Sequence, residues 1–424
     1  MPPTSANTPD RDKASRVPQD PGAPRATGPA APVRDRGDAC PGALRLHPAD
    51  DGPLARLRLP GGLLTAFQAR ALGDAARHLA DGRIGITSRG NAELRALDAE
   101  GTGELAALLT TAGLLPSPAH DRIRNILASP LSGLDGRGHT DVRPWVRELD
   151  HLLCSREWTT GLSGRFLFAL DDGRGDTAAL GADVTLLALP DGTAALRLGG
   201  QDPADEVWFV TAEDGPRAAL AAAEAFLTTA ATTGGGAWRM SELPATARPD
   251  IPAALHRAGL RPLPPGRAPT PAGEPPPPGL LTGPGGRRVL SVHAPLGRLT
   301  ADQWDLLRPP PGGELRLTPW RGAVLSGLDA GPAAERLTAL AAAGLITSAD
   351  SPWHRVTACT GRPGCARSRT DVRADAEHAV RAGPRAALPV HWSGCERRCG
   401  RPRGEHLDIV ATPDGYRTAT RGTG

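Results

Sequence analysis

Lysine is nearly missing from this sequence: Lys13 is the only one among 424 residues, so the basic charge rests on arginine. The planar, permanently charged arginine fork suits bidentate recognition of carboxylates, which points to an anionic ligand carrying several of them. Aromatic residues are scarce at 3%, with a single tyrosine, and this argues against a stacking surface for nucleic acid. A formal net charge of only +3 gives no reason to expect one either. No stretch of about eighteen apolar residues occurs, so no membrane span is expected. No apolar segment of the secretory kind opens the chain. The expectation is a soluble cytoplasmic protein long enough for two or three domains.

Of six cysteines, four lie near the C-terminus. Cys359 and Cys365 in TACTGRPGCARS read C-x5-C, and Cys395 and Cys399 in HWSGCERRCGRP read C-x3-C. Two pairs of soft thiolates can surround one compact metal centre, and an all-thiolate set selects zinc or an iron–sulfur cluster. Structural zinc usually grips through tight C-x2-C knuckles. These wider loops carry Gly361, Gly364, Gly394 and Gly400, where bare backbone can approach sulfides and offer amides. A [4Fe–4S] cluster held by Cys359, Cys365, Cys395 and Cys399 is therefore expected ahead of zinc. Two disulfides would require an oxidising compartment. Cys40 and Cys154 stand outside the pattern, and each reads as an ordinary small apolar residue or an incidental thiol.

Residues 1–40 are rich in Pro, Arg and Asp without hydrophobic periodicity, the composition of a disordered tail. A second break at 261–286 reads as an extended Pro/Gly linker. On either side of it an order of elements repeats. A strand over 54–59, a Gly-rich turn, a helix from Thr65 and a strand over 84–87 return as a strand, a turn, a helix from Thr300 and a strand over 315–318. Thr65 and Gln68 match Thr300 and Gln303, each Thr placed as an N-cap. Thr87, Leu94 and Leu97 match Thr318, Leu325 and Leu328 without a gap. This predicts an internally duplicated α+β protein, whose pseudo-twofold cleft could hold a large, roughly symmetric ligand. The glycine run at 234–236 lacks G-x-G-x-x-G spacing and reads as a loop, so direct nicotinamide binding finds no support.

The combination of RLPGGLLTAFQ, GITSRGNAELR, DRIRNILASPLSG and LSGRFLFALDDG with the cysteine quartet resembles the sirohaem-type nitrite and sulfite reductases over residues 45–420. ACTGRPGCARSRTDVRADA and PLGRL…LRLTPWRGAVL resemble more closely the precorrin-3B synthase branch of that superfamily. The resemblance implies two ferredoxin-like half-domains, 41–116 and 287–348. It adds two larger α/β nitrite/sulfite-reductase-type modules, 117–260 and the iron–sulfur-binding 349–424, around a central tetrapyrrole pocket. It also implies that Arg56, Arg89, Arg124 and Arg165 bind substrate carboxylates. In the reductases, the cysteine that matches Cys399 bridges to sirohaem iron.

One departure matters. The reductases carry a basic residue on both sides of a Phe where this chain reads Arg165-Phe166-Leu167. The lost cation weakens the case for drawing a small oxyanion to a metal and favours the synthase branch. That branch implies hydroxylation of precorrin-3A at C20 by dioxygen, with closure of a γ-lactone, in aerobic cobalamin biosynthesis. It further implies a mononuclear non-haem iron and an external electron donor fed by NAD(P)H. A sirohaem-dependent nitrite or sulfite reductase is the alternative, and a cluster-bearing sensor or tetrapyrrole-binding module the third reading. No catalytic residue is assigned. His354, His378, His391 and His406, with Asp371 and Asp375, flank the cysteines without a diagnostic ligand spacing. Arg95 reads as a surface salt-bridge residue.

Overall fold

The structure is a computed structural model that describes residues 37–98, 101–199, 207–264, 273–383, 386–402 and 404–422. Most of the tail expected at 1–40, and the middle of the linker expected at 261–286, lie outside the described residues.

The first copy of the duplicated unit runs β1 (Ala55–Leu57), β2 (Leu63–Leu64), α1 (Ala66–Leu79), β3 (Arg83–Ile86), β4 (Ala92–Leu94) and α2 (Thr102–Thr111). Next come β5 (Ile126–Ala128), α3 (Arg143–Cys154), β6 (Phe168–Asp171), β7 (Val184–Ala188), β8 (Thr193–Leu198), β9 (Trp208–Thr211), α4 (Gly215–Thr232) and α5 (Ile251–Arg257). These build a five-stranded sheet ordered β5-β6-β7-β8-β9, with a core that includes Phe166, Phe168 and Phe226. The second copy runs β10 (Gly279–Thr282), β11 (Arg288–His293), β12 (Arg298–Thr300), α6 (Ala301–Asp305), β13 (Leu315–Leu317), β14 (Gly322–Leu328) and α7 (Ala330–Ala342). The chain closes with β15 (Val356–Ala358), α8 (Val372–Ala382), β16 (Val390–Ser393), β17 (His406–Thr412) and β18 (Gly415–Arg421). These four strands form one sheet in sequence order, parallel from β15 to β17.

The duplication reaches individual hydrogen bonds. Thr65 Oγ1 accepts from the Gln68 amide at 3.2 Å while Gln68 Oε1 accepts from the Thr65 amide at 3.0 Å. Thr300 and Gln303 repeat this capping box at 3.2 and 2.9 Å. Each glutamine then donates its side-chain amide to the carbonyl that ends the following helix, Gln68 to Ala112 and Gln303 to Ala343. One sequence signal thus starts a helix and ties off the next.

In space the two copies are interlocked. β12 of the second copy pairs with β3 and completes the first sheet, ordered β1-β4-β3-β12. β2 of the first copy pairs with β13 and completes the second, ordered β10-β11-β14-β13-β2. Glycines permit these crossings. Gly62, at φ +69°, runs so close to β13 that a Cβ there would meet the Leu317 carbonyl oxygen at 2.0 Å. Both sheets share one apolar core, in which Ile84, Leu94, Leu290 and Leu325 are fully buried. Trp304 of the second copy sits in it and donates Nε1–H to the Ala69 carbonyl at 2.7 Å, so its polar edge is satisfied where its ring is buried. No helix among the described residues is long and apolar enough to cross a membrane.

Candidate active site

Strand pairing sets the floor of the site. Arg56 on β1 lies opposite Glu93 on β4, Glu93 opposite Gly85 on β3, and Gly85 opposite Arg298 on β12. Directly opposed residues share a sheet face, so Arg56, Glu93, Gly85 and Arg298 form one row, and all four line a cavity of about 1160 Å³. That volume exceeds the roughly 300–1,000 Å³ of ordinary small-ligand clefts. With no side chain, Gly85 keeps the centre of the row open.

The walls come from every part of the chain. Residues 37–41 cover one side, fastened by the Asp38 carboxylate, which accepts from Ser163 Oγ at 2.9 Å and from the Gly164 amide at 2.6 Å. Arg165 stands over the Trp238 ring, 5.0 Å from its centroid. Arg321, Arg373 and Arg397 close the side nearest the cysteines, where Cys359 and Cys399 themselves line the cavity.

Counter-charge is short in this cavity. It is lined by ten arginines against three carboxylates, Asp38, Glu93 and Glu242. Arg58 is 2% exposed, yet among the described residues its guanidinium donates only to backbone carbonyls, those of Arg122, Pro41 and Arg56. Among the described residues the Arg89 guanidinium donates only to the Gly164 and Arg165 carbonyls, at 3.1 and 3.0 Å. Burial, then Arg56 and Arg89, push Arg58 down to about 9. Burial, then Arg239, push Arg89 down to about 10, and burial with Arg298 and Arg321 does the same to Arg373. Among the described residues the Nε atoms of Arg56, Arg298 and Arg373 are buried without a hydrogen-bond partner, although Arg56 meets Glu93 and Arg298 meets Asp81 through a terminal nitrogen. Desolvated cations with idle donors are costly unless an anion meets them. Glu93 does not relieve the excess: burial alone would raise its carboxyl, but Arg56 and Arg95 outweigh burial and hold it below the usual range, already ionised and already paired.

The four cysteines of the quartet approach one another on two loops, one after β15 and one after β16. Burial raises the Cys399 thiol, Arg397 opposes this, and the charges of Cys359, Cys395 and Cys365 raise it further. The described residues include no group of three or more His, Cys, Asp or Glu placed to hold a single metal ion. The thiols are thus neighbours without converging on one ion. The Gly394 amide donates to Cys359 Sγ at 3.2 Å, the kind of contact that supports a cluster thiolate. These residues fit a [4Fe–4S] cluster: soft donors, open spacing and an amide aimed at sulfur. The same observation gives the mononuclear iron no ligand set among the described residues. His391 and His406 are buried on β16 and β17, Asp371 caps α8, His378 is exposed on that helix, and the His354 ring lies 5.5 Å from that of His293.

Three of the four arginines singled out from sequence, Arg56, Arg89 and Arg165, line the cavity. Arg124 does not. Its buried guanidinium is committed to Asp150, through bonds of 2.6 and 2.7 Å, and to the Leu114 carbonyl at 3.0 Å. Arg95 is an ion-pair residue, but 5% exposed rather than at the surface; it holds Asp51 and Glu93 and reaches the Gly364 carbonyl beside Cys365. Cys40 also lines the cavity, whereas Cys154 ends α3 away from it. Arg58, Arg298, Arg321 and Arg373 carry much of the positive charge; each stands inside one of the quoted motifs, RLPGGLLTAFQ, PLGRL, LRLTPWRGAVL and ACTGRPGCARSRTDVRADA, but nothing in those motifs singled it out as a site residue.

Residues 47–112 match the model of the nitrite/sulfite reductase ferredoxin-like half domain. A precorrin-3B synthase from Sinorhizobium sp is 28% identical over 412 residues, 93% of this chain and 85% of that protein. The chain is thus similar to proteins of the nitrite/sulfite reductase superfamily. A ferredoxin–nitrite reductase from Synechococcus elongatus is 28% identical over 84% of this chain and 76% of its own length. The solved Mycobacterium tuberculosis NirA protein shares the fold, with a TM-score of 0.67 over 87% of this chain and 73% of that one, at 21% identity. Within the superfamily fold, the cavity and the quartet sit side by side, sharing Cys359 and Cys399.

Proposed function

We propose that this protein belongs to that superfamily and is an oxygen-dependent monooxygenase of the precorrin-3B synthase type, acting on the metal-free tetrapyrrole precorrin-3A. Dioxygen would give one oxygen atom to the macrocycle at C20 and the other to water, with two electrons and two protons from a donor, while the ring A acetate closes the γ-lactone. The observation that carries this reading is the large cavity with ten arginines and idle Nε donors beside the four thiols. A macrocycle edged with acetates and propionates answers that excess of cations.

Arg56 and Arg298, at opposite ends of the floor row, would hold carboxylates on two sides of the ring and fix its rotation. Arg89 and Arg165 would do so at the rim beside Trp238. Gly85 leaves room for the macrocycle above the sheet, and residues 37–41 shield one edge from water. Glu93, ionised between two arginines, keeps the floor cations in register and has no proton to give. When bound, the cluster supplies electrons singly. The buried Phe166 and Leu167 that follow Arg165 leave that segment with one cation, which supports a tetrapyrrole substrate over a small oxyanion.

The second reading, a sirohaem-dependent nitrite or sulfite reductase, is favoured by the exposed Cys399 on the cavity wall and by the relatives named as nitrite reductases. Anaerobic purification with optical, metal and tetrapyrrole analysis, followed by precorrin-3A with and without dioxygen, separates the two. An iron–sulfur spectrum without sirohaem and an oxygen-dependent hydroxylated lactone is the expected result. Stoichiometric sirohaem with no such product overturns it.

A further inference from the structure

Arg321 is the one cavity arginine held in a left-handed backbone conformation, at φ +59°. The matching position of the first copy is Gly90, at φ +64°, and both close the same turn, donating to the Thr318 and Thr87 carbonyls at 3.1 Å. A side chain at such a position is disfavoured unless its surroundings hold it there. Two glycines make room for it. A Cβ on Gly297 would meet Arg321 Cδ at 2.4 Å, and a Cβ on Gly400 would meet its terminal nitrogen at 2.7 Å. Through this slot the guanidinium donates to the Gly400 carbonyl at 2.9 Å, next to Cys399.

The cation has no carboxylate partner among the described residues. Burial lowers its pKa, and the charge that opposes this is that of Cys359. It therefore stands between the cavity and the thiols as an uncompensated charge shared by both. We propose that Arg321 is a positioning residue that couples the charge of the cavity ligand to the reduction potential of the thiol-bound cluster. The inference rests on the tetrapyrrole reading above. A nearby cation stabilises the more negative, reduced cluster; a ligand carboxylate that neutralises Arg321 removes that help and drives the potential down. By linkage, reduction of the cluster weakens binding of the polycarboxylate in equal measure.

The test is potentiometric titration of the cluster-loaded full chain with and without uroporphyrin III, a metal-free polycarboxylate tetrapyrrole, in the wild type, Arg321→Gln and Arg321→Lys. The wild-type potential is expected to become more negative on binding. Arg321→Gln is expected to start more negative and move less, and Arg321→Lys, which keeps the charge, to follow the wild type. Equal shifts in wild type and Arg321→Gln overturn the inference, as does a wild type whose potential ignores the bound ligand. Arg321→Lys behaving like Arg321→Gln also overturns it, since the Gly400 hydrogen bond and not the charge would then set the potential. Failure of uroporphyrin III to bind the wild type defeats the tetrapyrrole reading itself, and the inference with it.

Discussion

Across the first sheet of the duplicated pair one row of side chains runs Arg56, Glu93, Gly85, Arg298. The equivalent row across the second runs Ser291, Val324, Arg316, Leu63. The pairing across the row, the helix caps and the exchange of a strand are the same in both, yet the first row opens onto a cavity and the second is filled. Arg316 occupies the position of Gly85, is 1% exposed, and donates to the Pro130 and Ser132 carbonyls at 2.9 and 2.8 Å. Leu131 and Leu134 then pack on Val324 and Val289. One copy thus turns its cations onto a cavity, while the other spends its single cation on the Glu314 carboxylate and the chain's own carbonyls. A fold duplicated for symmetry has been made asymmetric by a few side chains on one face.

The largest effect should come from giving the first row the second row's residues. Arg56→Ser with Arg298→Leu removes two charge-assisted contacts worth about 1.5–3 kcal/mol each. Uroporphyrin III affinity, followed by absorbance titration, should fall at least about 100-fold, and an unchanged affinity would place the ligand elsewhere. Arg124→Ala tests the opposite role. Stripping Asp150 of its buried partner should cost about 3 kcal/mol in denaturant unfolding, with the affinity of the folded protein unchanged; a selective loss of affinity would return Arg124 to the ligand site.

A third contrast depends on pH. His293, the second sheet's counterpart of Arg58, is pushed down to about 4 by burial and by His354. A histidine held neutral in the fold takes up a proton in the unfolded chain first, so stability present above about 6.5 should be lost progressively as pH falls toward 4. His293→Gln should flatten that part of the stability profile, and an unaltered profile would put the acid sensitivity in other groups. The smallest effects concern what the copies share. Thr65→Ala and Thr300→Ala each remove an N-cap and should each lower stability by about 1 kcal/mol; a large inequality between them in thermal unfolding would show that the caps are not equivalent.

Much of this was legible beforehand for identifiable reasons. The capping boxes, the four cysteines and the repeated strand and helix order are local patterns, set by residues a few positions apart. The interlocking of β2 and β12 was not legible, because a two- or three-residue strand carries no signal for which sheet it joins. Arg124 was misplaced for the same reason: a motif says that an arginine is present, but Asp150, on another element, decides where its charge is spent. Arg95, read as a surface pair, is a buried tie to the Cys365 loop through a carbonyl far away in sequence.

By itself, then, the sequence determined the duplication, the grouping of four thiols and a basic charge carried by arginine, since each follows from residue type and short spacing. Only the tertiary structure decided which arginines keep their charge free. That depends on whether a carboxylate or carbonyl from a distant segment reaches the guanidinium first, and such pairing exists only once the sheets have exchanged strands and closed around the cavity.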